Sequence, residues 1–227
     1  MIINDVNLKD LGCELLRYRI TPSQYSGKSY WNNGSRSPVL IKGQYIFSNL
    51  EVDIYIEGIN SADVEVKKSK LNAVMENPII VLDEVDDSIE YLCSYENQVV
   101  IEKINEVVSL ATYNFKTFKR GKIKSVPLTN TTNTVDIISD VETEVIYEIT
   151  PTSDIIDFTI NDITIKNLKA NKTIIVDGIK KAVTVDGENK FNDTDFWAFP
   201  TALPGTNKIT LSRSNVDVVL KYHPRYV

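Results

Sequence analysis

The sequence predicts a mainly β protein with one α-helix, and two observations support this. Ile, Val, Thr and Tyr are abundant whereas Ala and Met are scarce, and branched and aromatic side chains pack well on a pleated sheet. Apolar and polar residues alternate in many short runs, and one stretch in the first half has the period of a helix. With 227 residues, 42% of them apolar, the chain can bury one large core or two modest ones.

The first half is typical of an α+β domain in which one helix packs on a sheet. Alternation indicates strands over residues 15–20, 44–57, 79–82, 89–93, 98–101 and 107–115. The helix is expected to begin at Ser61, whose hydroxyl can cap free backbone amides, and Val64 and Leu71 follow at helical spacing. Asn77 and Pro78 end it.

A polar segment over residues 21–38 interrupts this pattern and carries three large aromatic residues, Tyr25, Tyr30 and Trp31. Exposed aromatic side chains lower solubility unless they pack on something. We expect them to form a subunit interface; the alternative is that the loop folds back on its own domain.

The second half is predicted to be an antiparallel β-sandwich, because short alternating runs continue to the end of the chain without a helical pattern. Asp177-Gly178 and Asp186-Gly187 provide residues that tolerate positive φ in tight turns. The Thr- and Asn-rich stretch 127–134 has little to bury and indicates the boundary between the halves. The predicted domains are residues 1–128 and 129–227.

The charge distribution argues against nucleic acid and membrane surfaces as binding partners. The formal net charge is −6 and no run of Lys or Arg occurs. The first residues show no signal-peptide pattern and no apolar stretch is long enough to span a bilayer, so we expect folding in a cytoplasm. Cys13 and Cys93 are then expected to be reduced thiols in or near a core.

No residue pattern predicts an enzyme, a metal site or a cofactor site. The single histidine, His223, has no nucleophile pattern beside it, and the acidic run at 83–87 lacks the spacing of a calcium loop. Acidic residues that could act in pairs in a glycosidase lie in turn-like sequence, namely Asp186, Glu188, Asp193 and Asp195. We therefore expect a protein without catalytic residues.

The run from Phe196 to Leu211 has the character of a loop attached to the end of a sheet. The residues expected to form this sandwich-closing loop are Trp197, Phe199, Pro200, Pro204, Gly205 and Asn207. Trp197 and Phe199 are expected to pack against the end of the sandwich core. The alternative is that Trp197 stacks on a sugar, with Asn207 and Arg213 as further contacts.

This run also carries a family resemblance. Pro200, Leu203-Pro204-Gly205-x-Asn207-x-Ile209 and the terminal Tyr222-x-Pro224-Arg225-Tyr226 resemble the C-terminal domain of the distal tail proteins of siphophages, which are long-tailed, non-contractile bacteriophages. The start Met1-Ile2-Ile3-Asn4-Asp5-Val6, Gly58 before the helix, and Ile89-x-Tyr91-x-Cys93 are similar to the N-terminal domain of that family.

The resemblance implies an N-terminal ring-forming domain and a galectin-like C-terminal β-sandwich. It implies a homohexameric hub at the tail tip of the virion, as one ring or two stacked rings, assembled in the cytoplasm of the host. The implied partners are the tail tube protein on one side and the tail-associated fibre or lysin protein on the other, with DNA only passing through the lumen. The alternative function is a carbohydrate-binding module that recognises the host cell wall; no stretch is long enough for the inserted module that some members carry.

Overall fold

Antiparallel strands make up most of the computed structural model, which describes residues 1–27, 29–30, 34, 36, 39–40, 43–45, 47–83, 86–96 and 99–227. The predicted mainly β fold class is confirmed. The chain divides into a first unit, Met1–Arg120 with Val227, and a second unit, Gly121–Tyr226. This division precedes the predicted boundary at 128/129, because a strand at Lys124–Leu128 pairs with Val216–Tyr222 of the second unit. The described residues include no helix that is long and apolar enough to cross a membrane.

The first unit is an antiparallel sheet with one helix, α1 (Ser61–Val74). Its strands are β1 (Ile2–Ile3), β2 (Val6–Asn7), β3 (Cys13–Thr21), β4 (Tyr25–Ser26), β5 (Ser29–Tyr30), β6 (Val39–Leu40), β7 (Gln44–Tyr45), β8 (Ser48–Glu57), β9 (Ile79–Val81), β10 (Ile89–Tyr95), β11 (Val100–Lys103) and β12 (Val108–Gly121). The main sheet has the order β2-β1-β9-β10-β12-β8-β3, and β11 also pairs with β12. The short strands form two separate pairs, β4 with β7 and β5 with β6.

The helix α1 begins at Ser61, as predicted, but its capping residue differs from the predicted one. Asn60, not Ser61, is the N-cap, and its side-chain oxygen accepts a hydrogen bond from the backbone NH of Asp63 at 3.0 Å. The Asp63 carboxylate in turn accepts from the backbone NH of Ile59 at 3.0 Å. This reciprocal arrangement satisfies two amide groups near the helix start, which explains why Asn60 is the better cap.

The core of the first unit lies between α1 and the sheet. The side chains of Val52, Ile54 and Ile56 on β8 are fully buried, as alternation along that strand predicted. Cys13 and Cys93 belong to the same core and are free thiols. Burial raises the pKa of Cys13 to about 11 and that of Cys93 to about 12, so both thiols stay protonated.

The second unit is a sandwich of two antiparallel sheets. Its strands are β13 (Lys124–Leu128), β14 (Thr132–Ile137), β15 (Thr143–Pro151), β16 (Ile155–Ile160), β17 (Ile163–Leu168), β18 (Ile174–Asp177), β19 (Ala182–Val185), β20 (Glu188–Asn189), β21 (Thr194–Asp195), β22 (Thr201–Ala202), β23 (Gly205–Thr210), β24 (Val216–Tyr222) and β25 (Arg225–Tyr226). One sheet has the order β13-β24-β15-β18-β19-β20, and β22 also pairs with β15. In the other, β14 pairs with β23 and β16-β17-β21 are neighbours; a bridge between Ile160 and Leu211 joins the two groups.

Alternation along the strands builds the core of this sandwich. Buried residues occupy every second position of β14 and β15, so each sheet presents one apolar face to the other. Phe158, Ile160 and Ile165 are fully buried between the sheets.

The two predicted Asp-Gly turns differ in what they require of glycine. Asp186 and Gly187 have φ of 51° and 83°, and they join β19 to β20 as the two-residue turn that the sequence predicted. Gly178 is needed for a different reason than the predicted one. A Cβ at Gly178 would lie 2.5 Å from the carbonyl oxygens of Val145 and Pro200, so close approach of backbone excludes a side chain there.

Candidate functional site

No three His, Cys, Asp or Glu residues among those described are grouped so that they could hold a metal ion. His223 is half-buried at the end of β24, where its Nδ1 donates to the carbonyl oxygen of Gly121 at 2.9 Å. This contact makes His223 part of the backbone hydrogen bonding of the second unit.

The predicted aromatic interface loop falls largely outside the described residues. Trp31 is not among them, and for Tyr25 and Tyr30 the structure describes only the backbone, in β4 and β5. Their role in a subunit interface stays a prediction.

Strand β11 is an exposed edge of the first unit. All four of its residues are exposed, with Val100 at 61% and Ile101 at 40%, and Ile104 just beyond the strand is 55% exposed. Among the described strands it pairs only with β12. A strand edge with apolar side chains and unpaired backbone groups is a surface to which another chain can bind.

Strand β3 forms the opposite edge of the same part of the sheet, where the local order is β11-β12-β8-β3. Its register with β8 shifts between Leu15 and Arg17, so Leu16 is the extra residue of a β-bulge. Leu16 is 60% exposed and Tyr18 is 39% exposed. The first unit therefore has apolar side chains on two different edges. These edges could not be predicted from the sequence, because alternation does not identify a strand's neighbours.

A buried carboxylate fixes β3 to β8. Asp53, which is 1% exposed, lies opposite Arg17 in the register, forms an ion pair with it, and accepts a hydrogen bond from Thr112 Oγ1 at 2.6 Å. Burial by itself would raise the pKa of Asp53, but the hydrogen bonds from Thr112 and Arg17 outweigh burial and hold the pKa below its usual range. The ionised carboxylate thus stabilises the strand that carries the Leu16 edge.

Replacing Asp53 by asparagine is expected to lower the free energy of unfolding at about pH 7 by ~1.5–3 kcal/mol, the range for hydrogen bonds to charged groups. Because the folded-state pKa is depressed, the native chain has this stability above the unfolded pKa of about 4 and loses it as pH falls through the folded pKa. Urea unfolding across acidic pH measures the effect. The Asp53→Asn chain should lose less stability on acidification than the native chain. The control Asp217→Asn, at an exposed position, should show the same dependence of stability on pH as the native chain. If stability depends on pH in the same way in all three chains, the role of Asp53 is contradicted.

The loop from Phe196 to Pro200 in the second unit presents a tryptophan to solvent. The expectation that Trp197 packs in the sandwich end is wrong, since its side chain is fully exposed. Phe199 does pack against the core, together with Phe196. The rings of these two residues are 5.1 Å apart, and Phe191 lies 5.6 and 6.0 Å from them. The rings of Phe196 and Phe199 therefore anchor the loop, and Trp197, which lies between them in the sequence, is left in solvent.

The other predicted loop residues stabilise the turn that follows. Pro200 is buried, and its carbonyl oxygen accepts from the backbone NH of Val145 at 3.1 Å. Exposed Pro204 precedes Gly205, which has a φ of 83°. The Asn207 amide donates to the carbonyl oxygens of Leu203 and Gly205 at 2.7 and 2.8 Å. These contacts make 203–207 a rigid turn.

The structure does not support the three predicted sugar contacts as one set. The Asn207 side chain is used inside its own turn, and Arg213 forms an ion pair with Asp157 at 3.1 Å. Of the three residues, only Trp197 has its full side chain available to a ligand.

A small polar pocket lies beside the Trp197 loop. Its volume is about 210 Å³, and it is lined by Tyr147, Asn161, Asp162, Ile163, Ala198, Phe199, Pro200 and Thr201. Asn161 and Asp162 form the turn between β16 and β17, and Asn161 has a φ of 51°. Sequence reasoning missed this pocket, although an Asn-Asp pair between two alternating runs marks the turn.

A larger groove, of about 520 Å³, lies at β18–β20 of the same unit, but its lysines are already paired with carboxylates. Lys172 contacts Asp186 at 2.6 Å and Lys190 contacts Asp193 at 2.7 Å. Internal pairing leaves this groove less suited to a ligand than the small pocket beside Trp197.

Comparison with known proteins finds matches among phage tail proteins. Residues 138–226 match the family model described as "Siphovirus-type tail component, C-terminal domain". The crystal structure of the Dit protein (gp 19.1) of phage SPP1, described as a hub of the adsorption apparatus in phages infecting Gram-positive bacteria, has a TM-score of 0.73 to this chain. That match has 12% identity and covers 100% of this chain and 98% of the other.

A second match is to the baseplate of phage P2 in its activated conformation. It has a TM-score of 0.51 and 12% identity and covers 92% of this chain and 91% of the other. No protein with curated annotation matches the sequence. The resemblance to the siphophage distal tail proteins is confirmed, and these structural neighbours are hub and baseplate proteins. Residues 138–226 therefore match the C-terminal domain of siphovirus-type tail components, and the whole chain shares its fold with a phage tail hub protein.

Proposed function

We propose that six copies of this chain form a ring that serves as the hub of a siphophage tail tip. The observation that carries the proposal is the presence of exposed apolar side chains on two opposite edges of the first unit, β11 and β3. The shared fold with a tail hub protein supports it. The function is structural, without catalysis, cofactor or metal.

Two different edges suit a closed ring. In a head-to-tail ring, each subunit offers one surface to the next subunit and uses another surface for the previous one. The strands β11 and β3 lie at opposite sides of one sheet, so β11 of one copy can contact β3 of the next. A row of copies joined in this way keeps one free edge at each end, and the two free edges meet when the ring closes. A two-fold dimer would instead use the same edge twice.

The side chains at the two edges are compatible with this contact. Val100 and Ile104 lie at the β11 edge, and Leu16 and Tyr18 lie at the β3 edge. Exposed Glu102 and Glu106 accompany the first edge, whereas Arg17 and Arg19 are exposed at the second. The bulge at Leu16 interrupts the backbone ladder, so side-chain packing rather than a continuous sheet is proposed to join the copies.

The ring is proposed to lie between the tail tube protein and the tail-associated fibre or lysin protein, at the tail tip of a virion assembled in the host cytoplasm. DNA would pass through the lumen without being bound. The net charge of −6 supports this, since a negatively charged surface repels the phosphate backbone. The second unit contains the residues that match the family's C-terminal domain.

Light scattering on the purified chain tests the proposal. Six copies of a 25.7 kDa chain give a mass of about 154 kDa, and two stacked rings give about 308 kDa. A monomer at every protein and salt concentration tested would overturn the ring. Electron microscopy of the same sample should show closed rings with a central opening, and open filaments or compact dimers would equally contradict the proposal.

A further inference from the structure

We propose that the second unit has a saccharide-binding subsite, in which Trp197 stacks on the apolar face of one sugar ring and the pocket beside it binds the hydroxyl groups. This inference goes beyond the hub function and does not depend on it. The sugar is a neutral pyranose of the kind found in cell-wall polysaccharides.

Trp197 is exposed on an anchored loop. Its indole lies fully in solvent although its neighbours Phe196 and Phe199 pack against the core. The loop is held by those two rings and by buried Pro200, so Trp197 cannot turn inward without displacing them. An aromatic side chain on an anchored loop loses less conformational entropy when a ligand stacks on it than one on a free loop.

The pocket beside the Trp197 loop is mainly polar. Ala198, which follows Trp197 in the chain, lines the pocket together with Asn161, Asp162 and Thr201. Asn161 Oδ1 accepts from the backbone NH of Thr210 at 2.9 Å, which fixes the side chain and leaves its NH2 group as a donor. No described residue donates a hydrogen bond to the carboxylate of Asp162, so that carboxylate can accept from a ligand hydroxyl.

Tyr147 adds a donor at the pocket wall. Burial, and secondly the charge of Asp162, raise the pKa of Tyr147 to about 12, so its phenol stays protonated. Donors and acceptors in one pocket match hydroxyl groups, which both donate and accept.

The charge, polarity and volume of the pocket disfavour other classes of ligand. The single charged group of the pocket is the carboxylate of Asp162, which disfavours a phosphate or another anion. A protein partner that used Trp197 as an anchor would need apolar surface around it, whereas this pocket is mainly polar. The volume of about 210 Å³ is below that of drug-sized sites, roughly 300–1,000 Å³, and suits one sugar ring.

Tryptophan fluorescence provides the test. The chain has two tryptophans, so Trp31→Phe leaves Trp197 as the only indole. This variant is titrated with glucose, galactose, N-acetylglucosamine, N-acetylgalactosamine and rhamnose. At least one sugar is expected to shift the emission with a saturable curve and a dissociation constant on the order of 1 mM, as for a single-ring ligand.

Variants then locate the site by binding of the same sugar, measured by calorimetry on the full chain. Trp197→Ala should weaken binding at least ~10-fold, Asp162→Asn should weaken it several-fold, and Trp197→Phe should retain part of it. Leu203→Ala, a change of an exposed apolar residue in the following turn, is the matched control and should bind normally. Because Trp197 and Leu203 are exposed, thermal unfolding of these variants should match that of the native chain.

The proposal is overturned if none of the five sugars gives a saturable change, or if Trp197→Ala binds as tightly as the native chain. It is also overturned if Trp197→Ala loses binding to another tail protein while no sugar binds, since Trp197 is then a protein anchor. A chain that binds a sugar through Trp197 but forms no ring would refute the hub proposal and support this one.

Discussion

Replacing Ile160 by alanine is expected to lower the free energy of unfolding of the second unit by about 2–5 kcal/mol, the range for removing a large aliphatic side chain from a core. Ile160 is fully buried and lies where a bridge to Leu211 joins the two strand groups of one sheet. The substitution removes apolar contacts and leaves a cavity between the two sheets. The cavity remains because the hydrogen-bonded strands of the two sheets cannot easily move together to fill it.

The matched control is Ile156→Ala in the same strand. Ile156 is 82% exposed, so the same chemical change should cost within about 0.5 kcal/mol, as at other surface positions. Urea unfolding followed by circular dichroism compares the two variants. Equal losses of stability at the two positions would show that the inner and outer faces of β16 are assigned wrongly.

Introducing a lysine at either exposed edge of the first unit is expected to abolish the ring. Val100→Lys places a charge on β11 and Leu16→Lys places one on β3, where each native side chain is about 60% exposed in the single chain. A lysine in the contact would replace an apolar side chain by a charge that must be desolvated, which strongly disfavours association. Light scattering should show a mass near 26 kDa for each variant instead of six copies.

Val66→Lys is the control for added charge, because Val66 is 52% exposed and lies on α1, which is neither of the two edge strands. It should assemble like the native chain. All three substitutions are at exposed positions, so their unfolding transitions should remain close to that of the native chain.

Mixing the two edge variants tests the head-to-tail arrangement itself. The Val100→Lys chain retains an intact β3 edge and the Leu16→Lys chain retains an intact β11 edge. One native contact can therefore form between them, which should give a dimer of about 51 kDa but no ring. If each variant dimerises alone and mixing adds nothing, the contact joins two copies of the same edge and the proposed ring geometry is wrong.

The elements of this fold that sequence predicted best are those that depend on local pattern. The helix followed from the spacing of Val64 and Leu71, and both are buried. Its N-cap was misassigned because Asn60 and Ser61 are both good caps, and only the hydrogen bonds with Ile59 and Asp63 distinguish them.

The candidate site was less predictable, because local pattern does not tell where a side chain lies relative to distant parts of the chain. The run Phe196-Trp197-Ala198-Phe199 identifies an aromatic loop, but not which ring packs inward. Packing of Phe191 with Phe196 and Phe199 decides it, and Trp197 is left in solvent. Asn161 and Asp162 reach the same loop from a hairpin far earlier in the sequence.

The sequence by itself determined that this is a mainly β chain with one helix, a sandwich in its second half and the features of a siphophage tail protein. These properties depend on alternation, turn residues and short motifs, all of which act over a few neighbouring residues. Only the tertiary structure decided that β11 and β3 are opposite edges, that Asp53 fixes β3 and that Trp197 lies beside a polar pocket. Strand order and exposure result from pairing between residues distant in sequence, which the periodicity of a single strand does not encode.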